Sequence, residues 1–197
     1  MSVQAVSSLV LATRNPHKVT ELARLLEPAD VAVEPLPSEV ELPPETGETF
    51  ADNALIKARA AAAGTGRPAI ADDSGIEAEA LGGAPGVRSA RFAGDAASDD
   101  ENLTKLLNEA PPGSPIQYVC ALAYVDPSAR QEQIFFGQCT GRLAEDPRGM
   151  GGFGYDPAFL PDDYSDGRTM AQLSDSEKDA ISHRGRAARA FVEWLRR

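Results

Sequence analysis

The chain has 197 residues, of which 42% are hydrophobic and 25% are charged, as in globular proteins that bury one core or the cores of two joined lobes. Its formal net charge of −11 argues against a broad nucleic-acid-binding face and against binding to an anionic membrane surface. Two cysteines and two histidines are too few for a disulfide framework or a structural zinc site.

The first predicted element is a buried strand at Leu9–Ala12. The residues before it contain no basic segment and only a short apolar stretch, so a strand is favoured over a secretory signal. No other segment approaches the length of a membrane span. We therefore expect a protein of the reducing cytoplasm, with neither a membrane nor a nucleic acid as its partner.

A helix is predicted after this strand, because Asn15 and Pro16 are residue types that favour the N-cap and the first helical position. One apolar face then continues as far as Pro28 and consists of Val19, Leu22, Leu25 and Leu26. A second strand is expected at Val31–Leu36.

A second helix is predicted at Thr49–Ala63, with Gly64 as its stop, and a strand at Pro68–Ala71 follows it. Residues 72–75 then read Asp-Asp-Ser-Gly. Such residues are common in turns, because Asp and Ser bond to nearby backbone and Gly accepts unusual dihedral angles. The alternative is a cation site, since adjacent carboxylates repel each other and a positive partner would offset the repulsion.

The middle of the chain is predicted to contain a half-exposed strand, because apolar residues alternate with glutamates over Ile76–Ala80. Ser98 and Glu101 form a capping box for the next helix, which includes Leu103, Leu106 and Leu107. Residues 111–113, Pro-Pro-Gly, end this helix and are a candidate link between two lobes.

The second half is predicted to contain an antiparallel strand pair, Ile116–Val125 and Gln133–Cys139, around an Asp-Pro-Ser turn. Ser174 and Glu177 form another capping box, and one helix is predicted from there down to Leu195. Strands and helices interleave without strict βαβ repetition, which favours an α/β fold with a mixed sheet.

Two groups of polar residues could bind phosphate or a cation. Thr13, Asn15 and Lys18 lie at a strand-to-helix junction, where backbone N–H groups, side-chain donors and an ammonium could converge on a phosphate. The alternative is a capped helix with a solvated lysine. The second group joins Asn53 and Lys57, one helical turn apart, to the acidic pair and to two glutamates, Glu45 and Glu48. Its alternative is a solvated, acidic helix start.

A glycine-rich stretch, GMGGFGYDP at 149–157, contains a literal G-x-G-x-x-G. Asp-Pro follows it rather than an amphipathic helix, which argues against a dinucleotide-binding turn. A loop that lays the Phe153 ring against a planar ligand suits this backbone better. The alternative is that Phe153 belongs to the core and that Lys178, His183 and Arg184 form a solvated helix face.

Five stretches, taken in order, resemble the inosine/xanthosine triphosphate pyrophosphatases, which remove non-standard purine nucleotides. They are LVLATRNPHKVTEL, ETGETFADNALIKA, AIADDSGIEAEALGGAPGVRSARFAG, GGFGYDPAFLP and EKDAISHRGRA. The resemblance covers nearly the whole chain, and five ordered motifs are far more specific than any one of them. One departure is Arg14, where many members have glycine; its side chain would alter the phosphate loop or add a phosphate contact.

The resemblance implies an elongated mixed β-sheet with flanking helices, in two lobes around a nucleotide cleft. Residues 1–197 would then form a single two-lobed domain, usually assembled as a homodimer. The implied reaction converts a purine nucleoside triphosphate such as ITP, dITP or XTP to the monophosphate and pyrophosphate, with Mg²⁺ as cofactor.

The same resemblance assigns roles to residues. It implies Asp73, Lys57 and Glu45 as catalytic, and Glu45 and Asp73 with Asp72 in support as the magnesium ligands, without deciding which aspartate is the general base. The residues implied to contact phosphates or the purine are Thr13, Asn15, Lys18, Ser74, Phe153, Asp156, Lys178, Ser182, His183 and Arg184. A divalent cation would then offset the repulsion of the acidic pair and bridge it to the phosphates.

Three other functions are alternatives to this one. A general nucleotide pyrophosphatase would keep the charged residues but change the base pocket. A nucleotide-sensing module would bind without releasing pyrophosphate, although sensing needs no water-activating carboxylate such as Asp73. A serine hydrolase using Ser74 and His183 is disfavoured, because no G-x-S-x-G elbow is present to expose the hydroxyl.

Overall fold

The structure, a computed structural model, describes residues 7–197. The expectation about a secretory signal concerns residues that lie mostly outside this range. Within it, the α-helices are α1 (Pro16–Leu26), α2 (Phe50–Thr65), α3 (Asp99–Glu109), α4 (Asp175–Ile181) and α5 (His183–Leu195). The strands are β1 (Ser8–Leu11), β2 (Ala32–Pro35), β3 (Ala69–Ala78), β4 (Pro115–Asp126), β5 (Gln131–Leu143) and β6 (Phe159–Pro161).

These strands form one sheet in the order β2-β1-β3-β4-β5-β6. Strand β1 runs parallel to both of its neighbours, with Leu9 opposite Val33 and Val10 opposite Ala69. Strand β6 runs antiparallel to β5. Only residues 127–130 join β4 to β5, which is too short for a parallel crossover, so this pair is antiparallel as predicted. The predicted α/β fold with a mixed sheet is confirmed.

The helix starts follow the local sequence. The Asn15 side chain caps α1 by accepting from the backbone N–H groups of His17 and Lys18, and Pro16 occupies the first helical position. Both predicted capping boxes are present, at Ser98 before α3 and at Ser174 before α4. These starts were predictable because a cap depends on residues within one turn of it.

The predicted stop of α2 at Gly64 is wrong by two residues. The helix continues to Thr65, and Gly66 ends it in the left-handed conformation with φ +68°, its N–H bonded to the Ala62 carbonyl. Gly64 has another reason to be glycine, because a Cβ there would lie 3.0 Å from the Val40 side chain. Close packing, rather than helix termination, explains this glycine.

Strand β3 corrects the interpretation of the acidic segment. The sequence favoured two short strands separated by the acidic pair, whereas the structure has one strand over Ala69–Ala78 that includes Asp72, Asp73, Ser74 and Gly75. The turn alternative is therefore wrong. Ala80 falls in a short 3-10 helix, Glu79–Leu81, instead of the predicted strand. The ladder and the burial of this strand override the local turn preference of its polar residues.

The single C-terminal helix predicted from Ser174 is also wrong. Helix α4 ends at Ile181, Ser182 adopts an extended backbone (φ −62°, ψ 153°), and α5 begins at the next residue. The Ser182 N–H still bonds to the Lys178 carbonyl, so it closes the last turn of α4 from outside the helix. No proline or glycine occupies positions 180–183 to signal this break.

The chain divides into two compact units. The first contains the described residues up to Asp73 together with Cys120–Gly137 and Arg184–Arg197, and the second contains Ser74–Val119 and Gln138–His183. The predicted link at residues 111–113 is wrong, because that segment lies inside the second unit. Each unit has its own core: Leu22, Ile70 and Phe191 lie in the first, and Ile76, Leu106 and Phe159 in the second.

Among the described helices, none combines the length and the apolar composition that crossing a membrane would require.

Candidate active site

The junction of β1 and α1 brings three predicted residues together. The Asn15 side-chain oxygen accepts from the N–H groups of His17 (2.9 Å) and Lys18 (3.3 Å), and the Thr13 hydroxyl accepts from the Asn15 N–H (3.2 Å). Asn15 and Thr13 therefore shape this loop directly, as the capped-helix alternative requires. The Lys18 side chain, however, is not solvated: its ammonium lies 3.1 Å from Asp72 and only 13% of the side chain is exposed.

Asp72 is fully buried and lies between two cations. One of its oxygens, Oδ2, accepts from Nε (3.1 Å) and Nη2 (3.0 Å) of Arg184, and the same oxygen contacts the Lys18 ammonium. Burial alone raises the pKa of this carboxyl, but Lys18 and Arg184 outweigh it and hold the pKa well below its ordinary value. The two cations therefore favour the ionised form of Asp72.

Arg184 also contacts a second carboxylate, from α1. Its Nη1 donates to Oε2 of Glu21 at 2.5 Å, and the Arg184 side chain is 2% exposed. Glu21 is not among the residues predicted from the sequence. Its position, three residues after Lys18 and within the buried face of α1, is the only sequence signal that could have found it.

Asp73 has a different set of partners. Its Oδ2 accepts from the Asn53 amide at 3.1 Å, and its Oδ1 lies 3.4 Å from the Lys57 ammonium. Lys57 also donates to Glu45 at 2.5 Å. Burial raises the pKa of Asp73 above its ordinary value, and Lys57 offsets that effect only in part. Burial lowers the pKa of Lys57, but the surrounding carboxylates more than compensate and raise it.

The alternation of a β-strand explains why the two neighbouring aspartates coexist. Successive side chains on a strand point to opposite faces of the sheet. Accordingly, Asp72 pairs with Lys18 and Arg184, while Asp73 pairs with Asn53 and Lys57. The repulsion inferred from the sequence is thus offset by separate basic partners within the protein.

Asn53 orders the segment that carries Glu45. Its side-chain oxygen accepts from the Gly47 N–H at 2.8 Å while its amide donates to Asp73. A Cβ on Gly47 would lie 2.8 Å from the Asn53 oxygen and 2.6 Å from the Asp52 side chain, so this contact depends on glycine. The one-turn spacing of Asn53 and Lys57 was the correct sequence signal.

The contacts described above join eight residues, which we call the acidic–basic cluster: Lys18, Glu21, Glu45, Asn53, Lys57, Asp72, Asp73 and Arg184.

Arg14 is held by main-chain carbonyls. Its guanidinium donates to the carbonyls of Leu36 (2.7 Å), Pro37 (2.7 Å) and Val40 (3.0 Å). Of the two effects expected from the sequence, this arrangement favours an altered phosphate loop, since the guanidinium ties that loop to the segment after β2.

A second cluster lies in the second unit and centres on Asp156. Its Oδ2 accepts from the Lys178 ammonium at 2.6 Å and from the Phe153 N–H at 3.0 Å, and its Oδ1 accepts from the Tyr118 hydroxyl at 3.0 Å. The Lys178 ammonium lies 5.2 Å from the centre of the Phe153 ring, within cation–π range. The Tyr118 ring in turn stacks on His183, with centroids 4.6 Å apart.

We call these five residues the Asp156 cluster: Tyr118, Phe153, Asp156, Lys178 and His183. Its Phe153 loop needs glycine, because a Cβ on Gly152 would lie 1.9 Å from the Asp156 carboxylate. The loop leads into a short 3-10 helix, Asp156–Ala158, so the prediction against a dinucleotide-binding turn is confirmed. The solvated-face alternative for Lys178 and His183 is wrong, since both are buried.

The other predicted residues lie close to these clusters in the sequence. Ser74 follows Asp73 on β3 and is half-buried, and Ser182 is buried at the break between α4 and α5. Within residues 7–197, no three His, Cys, Asp or Glu side chains are grouped so as to hold a metal ion by themselves. The carboxylates of Glu45 and Asp73 nevertheless converge on one cation, the Lys57 ammonium.

The chain is similar to known proteins over nearly its whole length. The Ham1 family matches residues 9–194. A Cutibacterium acnes protein named dITP/XTP pyrophosphatase is 47% identical over 195 residues and covers 95% of both chains. A Symbiobacterium thermophilum protein of the same name is 49% identical, covering 95% of this chain and 94% of its own. The structure of a HAM1 protein from Coxiella burnetii has a TM-score of 0.83 at 41% identity, covering 95% of this chain and 98% of that one.

Proposed function

The chain belongs to the Ham1 family, and from this premise we propose that it hydrolyses non-standard purine nucleoside triphosphates, ITP, dITP and XTP, to the monophosphate and pyrophosphate. Such an enzyme removes nucleotides with abnormal bases from the pool of nucleoside triphosphates. The observation that carries the proposal is the buried Asp73 carboxylate, held by Asn53 and Lys57 beside Glu45. Relatives named dITP/XTP pyrophosphatase support it at 47% and 49% identity.

In this proposal, the acidic–basic cluster and the β1–α1 junction bind the triphosphate. The N-terminus of α1 presents backbone N–H groups, which favour anions. Thr13 and Asn15 shape that end of the helix, and Lys18 and Lys57 supply positive charge. Ser74, Ser182 and Arg184 complete the residues assigned to phosphate or base contacts.

We assign the general base to Asp73. Asp72 is fully buried and two cations already share one of its oxygens, so it suits the role of a fixed charge that orients Lys18 and Arg184. Asp73 retains some exposure and lies beside the other catalytic candidates, Lys57 and Glu45. A water positioned there would give a proton to Asp73 and attack the α-phosphorus. The bond from that phosphorus to the bridging oxygen would break, and pyrophosphate would leave.

We propose Mg²⁺ as the cofactor, with Glu45 and Asp73 as ligands and Asp72 in support. The fit rests on the donor set, because carboxylate oxygens are the ligands Mg²⁺ prefers, and it commonly uses one or two of them plus substrate phosphates. A bound ion would neutralise phosphate charge and help to align the in-line displacement. We expect chelation to abolish activity and added Mg²⁺ to restore it. Weaker binding of Mn²⁺ to Asp73→Asn, measured by electron paramagnetic resonance, would support the ligand assignment without relying on turnover.

The Asp156 cluster is proposed to bind the base. The Phe153 ring would stack on the purine, and Lys178 would donate to the 6-oxygen of hypoxanthine or xanthine. Asp156 and His183 would recognise the rest of the edge of the base. This assignment is supported by the buried, directional bonds of Asp156 and by the cation–π contact of Lys178.

The test is pyrophosphate release measured across ITP, XTP, dITP and the four ordinary ribonucleotides, with hydrolysis repeated in ¹⁸O-labelled water. We expect the non-standard purines to react fastest, and the label to appear in the monophosphate because water attacks the α-phosphorus. Label found in pyrophosphate or orthophosphate, or equal rates for all nucleotides, would contradict the proposal.

The remaining expectations about the whole protein are also proposals. Residues 1–197 would act as one catalytic domain, usually as a homodimer, in the cytoplasm where nucleoside triphosphates are made and used. The support for a dimer is the resemblance to the pyrophosphatase family. Light scattering coupled to size-exclusion chromatography measures the assembled mass directly, and a monomer at micromolar concentration would contradict it.

A further inference from the structure

The Asp156 carboxylate divides its two oxygens between different partners. Oδ2 accepts from Lys178 (2.6 Å) and from the Phe153 N–H (3.0 Å), which belong to the two residues proposed to contact the base. Oδ1 accepts from the Tyr118 hydroxyl at 3.0 Å. Asp156 therefore links Tyr118 to the base-reading pair.

The Tyr118 ring is itself fixed from both sides. It lies on β4, is 6% exposed, and stacks on Phe159 with centroids 4.6 Å apart and planes 22° apart. It also stacks on His183, with the same separation and an interplanar angle of 13°. A hydroxyl on a ring packed in this way has little freedom, so it defines one position for the Asp156 oxygen that accepts from it.

Asp156, by contrast, has no such support from regular structure. It opens a three-residue 3-10 helix directly after the glycine-rich loop, and the side chain of a short loop element is less constrained than one on a central strand. The hydroxyl of Tyr118 is thus the fixed point in a chain of contacts that runs from β4 through Asp156 to the Lys178 ammonium.

We propose that Tyr118 is a positioning residue for base selection. Its hydroxyl orients Asp156, and Asp156 in turn positions the Lys178 ammonium and the Phe153 loop. The Tyr118 ring sets the plane of the His183 ring. This inference rests on the proposed function and deepens it. It assigns a selectivity role to a tyrosine that no sequence motif indicated.

The experiment is Tyr118→Phe, which keeps both ring stacks and removes only the hydroxyl. Loss of one hydrogen bond to a carboxylate should lower kcat/KM for ITP about 5- to 10-fold. The change should lie mainly in KM, since the acidic–basic cluster that performs the chemistry is untouched. ATP has no acceptor at its 6-position, so its kcat/KM should change little, and the ITP/ATP ratio should fall by the same factor.

A matched control exists on the same strand. Tyr124, also on β4, is fully buried, and its hydroxyl donates to another carboxylate, Asp126 Oδ2, at 3.4 Å. Tyr124→Phe removes an equivalent group from a residue outside the proposed site. It should leave KM for ITP and the ITP/ATP ratio unchanged.

A double-mutant cycle with Asp156→Asn separates positioning from general loosening of the core. If Tyr118 acts through Asp156, adding Tyr118→Phe to Asp156→Asn should change the ITP/ATP ratio by less than about 2-fold. The ratio compares two substrates on one preparation, so a partly unfolded variant does not distort it. If instead the two substitutions change the ITP/ATP ratio independently, so that their separate effects multiply in the double variant, the inference is wrong.

The failure of this inference differs from the failure of the proposed function. A wild-type-like KM and ITP/ATP ratio in Tyr118→Phe, while Lys178→Met loses selectivity in the same assay, would overturn the role of Tyr118 and leave the function intact. A wild-type protein that releases no pyrophosphate from ITP would overturn both.

Discussion

The acidic–basic cluster and the Asp156 cluster handle buried charge in different ways. The first joins three cations, Lys18, Lys57 and Arg184, to four carboxylates in a network with a net negative charge. The second has one ammonium and one carboxylate, and further contacts of Asp156 and Lys178 include a hydroxyl, a backbone N–H and an aromatic ring.

Under the proposed function, this difference has a chemical reason, because the first cluster would bind phosphates and the second would bind a base. A triphosphate brings further negative charge to a cluster that is already negative, so tight binding there requires an additional cation, and a divalent ion meets that need. A purine base is flat, and one purine differs from another in which positions on its edge donate hydrogen bonds and which accept them. A small cluster with buried donors and acceptors can distinguish such patterns, because an unpaired buried polar group costs free energy.

The largest effect on stability is expected from Arg184→Met. This change leaves Asp72 and Glu21 without their shared guanidinium, and breaking a buried ion pair in this way typically costs about 3–5 kcal/mol. Urea denaturation measures the loss in the free energy of unfolding. Arg189→Met on the exposed side of the same helix is the control, for which we expect a change below about 0.5 kcal/mol. Equal effects of the two variants would mean that the network adds little to stability.

The largest effect on catalysis is expected from Asp73→Asn. The amide keeps the shape of the side chain but can neither accept the water proton nor supply a metal-binding charge, so turnover should fall about 100-fold or more. The control is Asp30→Asn, an exposed residue with φ +55° that asparagine adopts readily. Pyrophosphate release by both variants, with thermal melts to verify folding, gives the comparison. Near-normal turnover of a folded Asp73→Asn protein would transfer the base role to another residue.

A smaller, selective effect is expected from Lys178→Met, which keeps the aliphatic stem and removes the donor. Hypoxanthine and xanthine present an oxygen at the 6-position and adenine presents an amino group, so the mismatch is worth about 1–3 kcal/mol, or roughly 5- to 150-fold in selectivity. The ITP/ATP ratio of kcat/KM should shrink through loss of ITP activity. Guanine also carries the 6-oxygen, so Lys178 does not account for rejection of GTP.

Lys105→Met is the matched control for this prediction. Lys105 also lies over an aromatic ring, 4.8 Å from the centre of Phe92, and 3.6 Å from a carboxylate of Glu109. Its side chain is 38% exposed, and it has no proposed role. An unchanged ITP/ATP ratio in Lys178→Met would place Lys178 with the phosphates and leave base reading to His183 or the backbone.

The sequence correctly predicted the features that depend on contacts between residues close together in the chain. The caps at Asn15, Ser98 and Ser174 were correct because each involves contacts within one helical turn. Most of the candidate residues were found through the resemblance to the pyrophosphatase family, which five short stretches of sequence carry. The structure now brings Lys57, Glu45 and Asp73 together as a group, although their roles in the reaction stay predictions.

Contacts between distant parts of the chain could not be read in this way. Glu21 and Arg184 are separated by 163 residues, and Tyr118 and Asp156 by 38. Neither pair has a pattern that marks it in the sequence. The continuity of β3 through its acidic pair was missed for the same reason, since that strand is stabilised by the sheet and by basic residues from α1, α2 and α5.

Arg14, the residue at which this chain departs from the resemblance, gives the smallest expected effect. Its three bonds to carbonyls of residues 36–40 are near the surface, where hydrogen bonds contribute little, so Arg14→Met should lower the free energy of unfolding by about 1 kcal/mol. Arg142→Met, which removes a single exposed bond to the Gly113 carbonyl, is the control and should have less effect. Many members have glycine at this position, so KM for ITP should change less than about 3-fold, a difference below 1 kcal/mol. If KM rises more than 10-fold and inhibition by pyrophosphate weakens in parallel, the guanidinium contacts the phosphates in the complex, and Arg14 belongs functionally with Lys18 rather than with the loop after β2.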